Sequence, residues 1–230
     1  MKKLLTIIIA IPISLGCFGQ MTMNARHFTA RLDTATAAPA EDNTISCTSD
    51  GIAYIASTVY EGYWEYDFRR TTGTTNTYIA ILSEVNGASN QDNIRTYINV
   101  NEVFAVREYT GFTPTDYFET ASAYTVANTW YRLRYERNTT LNEFFTGAIG
   151  DIRVLIKGGS FGTGSWTVIA PDSGTNPTSE SAHNTSDYFL INFDTGDQLR
   201  DLDINGATIN ADDFTIGSGT YETSVNNDPL

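Results

Sequence analysis

Cysteine is almost absent from this 230-residue sequence, which contains only Cys17 and Cys47. Because Cys17 lies in a leader-like N-terminal segment, a processed chain keeps Cys47 alone and has no partner for an internal disulfide. The fold must then be held by its hydrophobic core. We expect Cys47, in a strand-like stretch, to be a small buried hydrophobe rather than a reactive thiol.

Histidine is equally scarce, with His27 and His183 as the only two. Both lie in arm-like or loop-like sequence, and no Cys/His spacing typical of a metal cluster is present. The sequence also lacks a nucleophile elbow. The glycine-rich run 158–164 follows one strand-like segment and precedes another, so it predicts a hairpin loop rather than a phosphate-binding loop that opens a helix.

Basic residues are few, since 14 Lys and Arg face 27 Asp and Glu and give a formal net charge of −13. Removal of residues 1–19 takes away two lysines and no acids, so 12 basic residues face 27 acidic ones and the charge becomes −15. Such a surface repels nucleic acid and anionic membranes. The apolar run at residues 4–15 is too short for a stable membrane span.

The N-terminus has the pattern of an export signal. Two lysines precede the apolar run, and the small residues that follow it supply a cleavage point. We predict cleavage after Gly19, which makes residues 1–19 a signal peptide and the protein secreted or displayed at the cell surface. The alternative is lipoprotein processing at Cys17, but Ser14 stands where a lipoprotein box usually has an aliphatic residue.

The rest of the chain favours β-structure, because Thr, 13 Tyr and 12 Phe suit pleated strands. Short alternating runs between turn residues predict an all-β protein with one antiparallel β-sandwich at residues 45–210. A linker or N-terminal arm is expected at 20–44 and a loose C-terminal tail at 211–230. The one segment that would suit a short helix is 114–123. The predicted strands are 51–58, 63–70, 78–85, 94–100, 103–109, 130–137, 152–157, 166–170, 188–194 and 199–204.

Alternation along these strands separates an apolar face from a polar one. In strand 130–137, Tyr131, Leu133 and Tyr135 form the apolar face. The opposite face of that strand carries Trp130, Arg132, Arg134 and Glu136. The polar faces of strands 63–70 and 94–100 carry Glu65, Asp67, Arg95 and Tyr97. Many of the few arginines of an acidic chain therefore concentrate on these faces.

Four segments resemble one family of sandwiches: residues 50–55 (DGIAYI), 63–68 (YWEYDF), 128–134 (NTWYRLR) and 154–159 (VLIKGG). They are similar to the strand patterns of the concanavalin A-like lectin and glucanase family, which includes laminin-G-like domains. The resemblance covers roughly residues 45–210. It implies a jelly-roll sandwich, an architecture that hosts lectins, polysaccharide hydrolases and lyases, adhesion modules and phage tail parts. The fold alone therefore does not decide the chemistry.

The polar faces suit carbohydrate, because planar aromatic rings stack on sugar rings and planar polar groups bond to hydroxyls. We predict a lectin-like module that binds a polysaccharide or a cell-surface glycan in a shallow groove on one sheet face. The predicted ligand-binding residues are Trp130, Arg132, Arg134, Arg95, Tyr97, Glu65 and Asp67.

Two other classes of function stay open. Glu65 and Asp67 resemble part of the paired acids of glucanases of this fold, but Arg69 replaces the third acid. Lyases of the fold use Tyr and His with Arg, and neither histidine of this chain lies in a predicted strand. We therefore expect no catalytic residues. The other alternative is a structural or adhesive surface protein, or a phage-associated one, with no small ligand.

A structural calcium ion is the one cofactor that we expect from the sequence. Asp194 ends one predicted strand and Asp197 lies in the loop before the next, and hard cations need clustered oxygens. Residues 201–212 also match the spacing of an EF-hand loop. However, Leu202 and Ile204 alternate as strand core there, which argues against that second site.

Overall fold

The computed structural model describes residues 43–71, 76–87, 91–119, 125–138, 151–170 and 185–224. These residues form fifteen β-strands and two short 3₁₀ turns, and none of them is α-helical. The strands are β1 (Thr44–Ser49), β2 (Gly51–Ala56), β3 (Gly62–Arg69), β4 (Thr77–Ser83), β5 (Asn93–Ile98), β6 (Phe104–Thr110), β7 (Thr113–Glu119), β8 (Trp130–Asn138), β9 (Asp151–Gly158), β10 (Thr167–Ala170), β11 (Tyr188–Phe193), β12 (Gln198–Ile204), β13 (Ala207–Ile209), β14 (Thr215–Ile216) and β15 (Thr220–Ser224). The 3₁₀ turns are Gly159–Phe161 and Ala211–Asp213.

The strands form two antiparallel sheets that pack as a sandwich, which confirms the predicted fold class. The eight-stranded sheet has the order β10-β9-β8-β3-β12-β1-β15, with β13 paired to β12. The seven-stranded sheet has the order β14-β2-β11-β4-β5-β6-β7. Since β1 and β2 belong to different sheets, the chain crosses between the layers at its first turn.

The core lies between the sheets and is built from side chains that alternate along the strands. In β3, Trp64, Tyr66 and Phe68 are buried, whereas the residues between them are only half-buried on the outer face. Tyr66 stacks on Tyr135 of β8 with ring centroids 6.0 Å apart. Phe189 of the other sheet meets Tyr66 edge-on at 6.2 Å. The first contact lies within the eight-stranded sheet, and the second joins the two layers.

All ten predicted strands are present, with ends that differ by at most two residues from the expected ones. The predicted Asn205–Gly206 turn joins β12 to β13, and both residues have the positive φ that Asn and Gly accept most readily. Cys47 is buried, as expected, and burial raises the pKa of its thiol to about 11. The thiol is therefore protonated at neutral pH and packs as a small core side chain.

Two expectations about local structure were wrong. Residues 113–119 form strand β7 rather than a helix, because they pair with β6 and complete the edge of the sheet. The predicted start of the loose C-terminal tail, at residue 211, was also wrong. Ala211 and Phe214 are buried in the core, and β15 pairs with β1 from Thr220 to Ser224. The Tyr221 hydroxyl donates to the Gly51 carbonyl at 2.5 Å, which fixes β15 to the start of β2.

The expected signal peptide at 1–19 and almost all of the expected arm at 20–44 lie outside the described residues. The sandwich starts at Thr44, one residue before the predicted boundary. Within the described part of the chain, no helix is long and apolar enough to cross a membrane.

We expect a chain that ends at residue 210 to lose much of its stability. This truncation would remove β15 and the Phe214 ring, which contacts Phe189 with ring centroids 6.4 Å apart. Loss of a buried Phe typically lowers the free energy of unfolding by about 3–5 kcal/mol. The matched control ends at residue 224 and keeps every described strand. Urea unfolding of both forms measures the difference, and equal midpoints would show that residues 211–224 are dispensable.

We predict that Leu133→Ala is far more destabilising than Trp130→Ala. Leu133 is fully buried, so its truncation should cost about 2–5 kcal/mol. Trp130 is half-buried on the outer face, and its loss removes cation–π contacts worth about 0.5–1 kcal/mol each at such sites. Thermal melts of the two variants separate the faces of β8. The reverse order of stability would mean that the assigned faces are inverted.

Candidate functional site

The candidate site lies on the outer face of the eight-stranded sheet, where β9, β8, β3 and β12 are neighbours. Antiparallel register places their outward side chains in four rows that run across the strands. We name the rows by one member each. They are the Trp130 row (Trp130, Arg69, Gln198), the Asp67 row (Lys157, Arg132, Asp67, Arg200), the Glu65 row (Leu155, Arg134, Glu65, Asp203) and the Glu136 row (Arg153, Glu136, Tyr63).

The Asp67 carboxylate is held by two guanidinium groups. Arg132 Nη1 donates to it at 3.0 Å, and Arg200 donates through Nε and Nη2, each at 3.2 Å. Arg132 Nε also donates to Glu65 Oε1 at 2.5 Å. Burial alone would lower the pKa of Arg132, but these contacts with Glu65 and Asp67 raise it above its usual value. Arg132 is therefore a fixed cation at neutral pH.

The ion pairs continue into the next two rows. Arg134 donates to Glu65 Oε2 at 3.2 Å and to Glu136 Oε1 at 2.8 Å. Arg153 forms a further ion pair with Glu136. The Arg134 guanidinium carbon also lies 4.1 Å from the centroid of the Tyr63 ring. The result is one continuous network in which each arginine is oriented by carboxylates on neighbouring strands.

A shallow pocket of about 300 Å³ lies at the Trp130 end of this network. Its lining residues are Asp67, Trp130, Tyr131, Arg132, Lys157, Gly158, Thr163 and Arg200. The Arg200 guanidinium carbon is 4.1 Å from the centroid of the Trp130 ring, and that of Arg69 is 5.2 Å away. These cation–π contacts fix the indole at one wall of the pocket. We call this site the Trp130 pocket.

Gly158 also lines the pocket, on strand β9 beside the backbone of Trp130. It has a φ of +91°, and a Cβ at this position would lie 2.7 Å from the Trp130 carbonyl oxygen. The backbone of β9 can therefore approach β8 this closely only with glycine at this position. The chain then turns away through the 3₁₀ turn at 159–161, and Thr163 follows at the pocket rim. The glycine-rich run thus forms a hairpin loop beside the pocket.

Five of the seven predicted ligand-binding residues lie together on this face: Trp130, Arg132, Arg134, Glu65 and Asp67. Arg95 and Tyr97 do not, because β5 belongs to the seven-stranded sheet. Both are almost fully buried there. Arg95 lies between the rings of Tyr78 and Tyr109, at 4.4 and 4.2 Å from their centroids. The expected groove that combines Arg95, Tyr97 and Glu65 was therefore wrong.

Sequence reasoning missed three side chains of the site: Arg200, Lys157 and Trp166. The alternation that assigned the faces of β8 also places Arg200 opposite the buried Leu199 and Lys157 opposite the buried Ile156. The alternation within each strand therefore already indicated that Arg200 and Lys157 face outward. The sequence did not reveal the order of the strands in the sheet, and this order brings both cations beside Asp67 and Arg132. Trp166 precedes β10 and is reached by Lys157, whose Nζ lies 4.4 Å from its ring.

The predicted calcium ligands lie at the turn between β11 and β12. Asp197 is fully buried and accepts hydrogen bonds from the Thr77 hydroxyl at 2.6 Å and the Thr71 amide at 3.0 Å. These bonds occupy both of its carboxylate oxygens. Among the described residues, no group of three or more His, Cys, Asp or Glu side chains is arranged to hold a metal ion. Calcium at Asp194 and Asp197 stays a prediction.

Residues 201–212 form the β12–β13 hairpin and the 3₁₀ turn that follows it. Leu202 and Ile204 are buried strand residues there, as expected. The segment therefore has the local geometry of paired strands rather than that of a helix–loop–helix cation site.

No family model matches the chain, and no curated protein matches it either. Similar solved structures include the carbohydrate binding module CBM66 from Bacillus subtilis, with 11% sequence identity and a TM-score of 0.44, over 67% of this chain and 81% of that one. They also include a native heptameric SAP-like pentraxin from Limulus polyphemus, with 9% identity and a TM-score of 0.46, over 83% of this chain and 98% of that one. The sandwich architecture of this chain is established by its own strand pairing.

We predict that Asp194 makes the protein more stable at mildly acidic pH than at neutral pH. Burial and the nearby carboxylates of Asp197 and Asp50 raise the pKa of Asp194 from 3.8 to about 6, against the opposing effect of Arg70. The folded state then takes up a proton near pH 6 that the unfolded state does not, so this contribution to stability grows as the pH falls from 7 to 5.

The test compares melting temperatures of the protein and of Asp194→Asn at pH 7 and pH 5. The variant should gain most relative to the parent at pH 7, and this gain should shrink at pH 5. Asp212→Asn, at an exposed position, is the matched control and should show no such change. A difference between parent and Asp194→Asn that stays constant with pH would contradict the prediction.

Proposed function

We propose that this chain is an exported carbohydrate-binding protein whose ligand occupies the Trp130 pocket. The observation that carries the proposal is the position of the Trp130 ring at the wall of a shallow pocket that Asp67, Arg132 and Arg200 also line. Carbohydrate recognition needs this combination, because the face of a sugar ring is apolar whereas its hydroxyl groups require planar donors and acceptors.

The volume and rigidity of the pocket support the same function. A space of about 300 Å³ lies at the lower end of the range for small-molecule sites, about 300–1,000 Å³. Arg132 and Arg200 are already oriented by Asp67, so sugar hydroxyls would meet donors whose side-chain entropy was lost on folding.

The geometry favours binding over hydrolysis. A glycosidase needs one carboxyl group that donates a proton and a second that is free to attack or to activate water. Here Glu65 and Asp67 each accept hydrogen bonds from two arginines, and Arg132 joins them. Their oxygens are thus engaged in holding the network together. We assign both residues to the support of the pocket.

We expect Trp130→Ala to abolish most of the carbohydrate affinity while the protein stays folded. Loss of a stacked aromatic platform should cost about 1–3 kcal/mol of binding free energy, or roughly 5- to 150-fold in Kd. The measurement is a glycan array on residues 20–230, followed by calorimetric titration of the sugars that bind. Repeating the array with and without calcium also tests the predicted ion at Asp194 and Asp197.

Phe112→Ala is the matched control, because Phe112 is 72% exposed in the turn between β6 and β7 of the other sheet. It removes an exposed aromatic side chain without touching the pocket and should leave binding unchanged. Equal affinities for the parent and Trp130→Ala would exclude this pocket as the site. An array with no bound sugar would instead favour the structural or adhesive alternative.

A further inference from the structure

Positive charge is unevenly distributed over the four rows. The Asp67 row has three cations and one carboxylate, and the Trp130 row adds Arg69. The Glu65 row has one arginine against two carboxylates, and the Glu136 row has one charge of each sign. The surplus of positive charge therefore lies at the end of the network that holds the Trp130 pocket, in a chain whose net charge is −13.

Lys157 is the cation of the Asp67 row whose charge no carboxylate among the described residues offsets. The charges of Arg132 and Arg200 are opposed by Glu65 and Asp67, and Asp201 lies a further 3.9 Å from Arg200 Nε. Lys157 stands directly opposite Arg132 in the register. Its contact among the described residues is with the Trp166 ring, which attracts the ammonium group but accepts no proton from it in a hydrogen bond.

The arginines of the pocket also have donors to spare. Hydrogen bonds to described residues use Nε and Nη1 of Arg132 and Nε and Nη2 of Arg200. Arg132 Nη2, Arg200 Nη1 and the Lys157 ammonium group therefore have no acceptor within the described part of the chain. Three cationic side chains with unused donors line one pocket. This arrangement suits a ligand that supplies several negatively charged oxygens.

We propose that the Trp130 pocket selects an acidic sugar, whose carboxylate or sulfate group binds between Lys157, Arg132 and Arg200. The inference rests on the proposed carbohydrate-binding function and adds the class of ligand. A sugar ring against Trp130 would bring an anionic substituent within reach of these cations.

The first test measures binding to oligogalacturonate against its fully methyl-esterified form, and to dextran sulfate against dextran. These two pairs distinguish a carboxylate from a sulfate group, and each neutral partner keeps the same sugar backbone. We expect the charged member of one pair to bind at least tenfold more tightly than its neutral partner. Equal affinity within both pairs would overturn the inference.

Three variants assign the selectivity to Lys157. Lys157→Met keeps an unbranched side chain without the charge and should reduce the charged-to-neutral ratio about tenfold or more. Lys157→Arg should restore most of it. Arg107→Met, on β6 of the other sheet, removes the same overall charge away from the network and should leave the ratio unchanged. An equal effect of Arg107→Met and Lys157→Met would show general electrostatic attraction and not a site.

The sequence also allows a direct chemical readout. Lys157 is the only lysine beyond Lys3, so amine acylation followed by peptide mass spectrometry reports on this one side chain. The bound acidic oligosaccharide should slow acetylation of Lys157 severalfold, whereas its neutral partner should not. Acetylation of the N-terminal amine serves as the internal reference. Unchanged labelling at a saturating concentration of the acidic sugar would place the anion elsewhere.

The failures of the two proposals are distinguishable. If neutral and acidic sugars bind equally, and Trp130→Ala abolishes the binding of both, the carbohydrate site is supported and the proposed selectivity for acidic sugars is wrong. If no sugar of either pair binds and the glycan array is blank, the proposed function itself fails. If acidic sugars bind but neither Trp130→Ala nor Lys157→Met matters, the Trp130 pocket is the wrong site for both proposals.

Discussion

The antiparallel register between β3 and β8 is the constraint on which the fold and the site both depend. It pairs Tyr66 with Leu133 on the inner face and Asp67 with Arg132 on the outer face. A slip by one residue would turn the buried side chains to solvent and force ion pairs into the core. The hydrophobic alternation of both strands therefore fixes the register. The same register also aligns the charged side chains on the outer face, so no further interaction is needed to form the rows.

The outer network is better understood as a means of orientation than of stability. Exposed ion pairs contribute about 0–1 kcal/mol each, and these carboxylates are only partly buried. The ion pairs orient the arginine side chains. Asp67, for example, accepts hydrogen bonds from Arg132 and Arg200, which lie on the two strands that flank β3. Two long, flexible side chains are thereby held beside Trp130. Their positions are set before any ligand arrives.

The structure also shows where reasoning from sequence succeeds and where it ends. Alternation within one strand assigned the faces of Trp130 and Arg132 because that signal is local. Arg95 alternates along its strand in the same way as Arg132, but β5 belongs to the other sheet. The order of strands depends on long-range pairing that a single sequence does not reveal. The short strands β14 and β15 were missed for a related reason. They carry little alternation of their own, and their place comes from β1 and β2.

A cationic pocket on an acidic protein sets two electrostatic effects against each other. The net charge of −13 repels an acidic sugar at a distance, whereas Lys157 attracts it at contact. Salt weakens both, but interactions beyond about 8 Å are largely screened at physiological ionic strength, while contacts inside a pocket are screened less. Raising the salt concentration from a low value therefore first removes the repulsion. Selectivity for an acidic sugar then depends only on short-range attraction inside the pocket. The few side chains that provide this attraction are brought together by the register of β9, β8, β3 and β12.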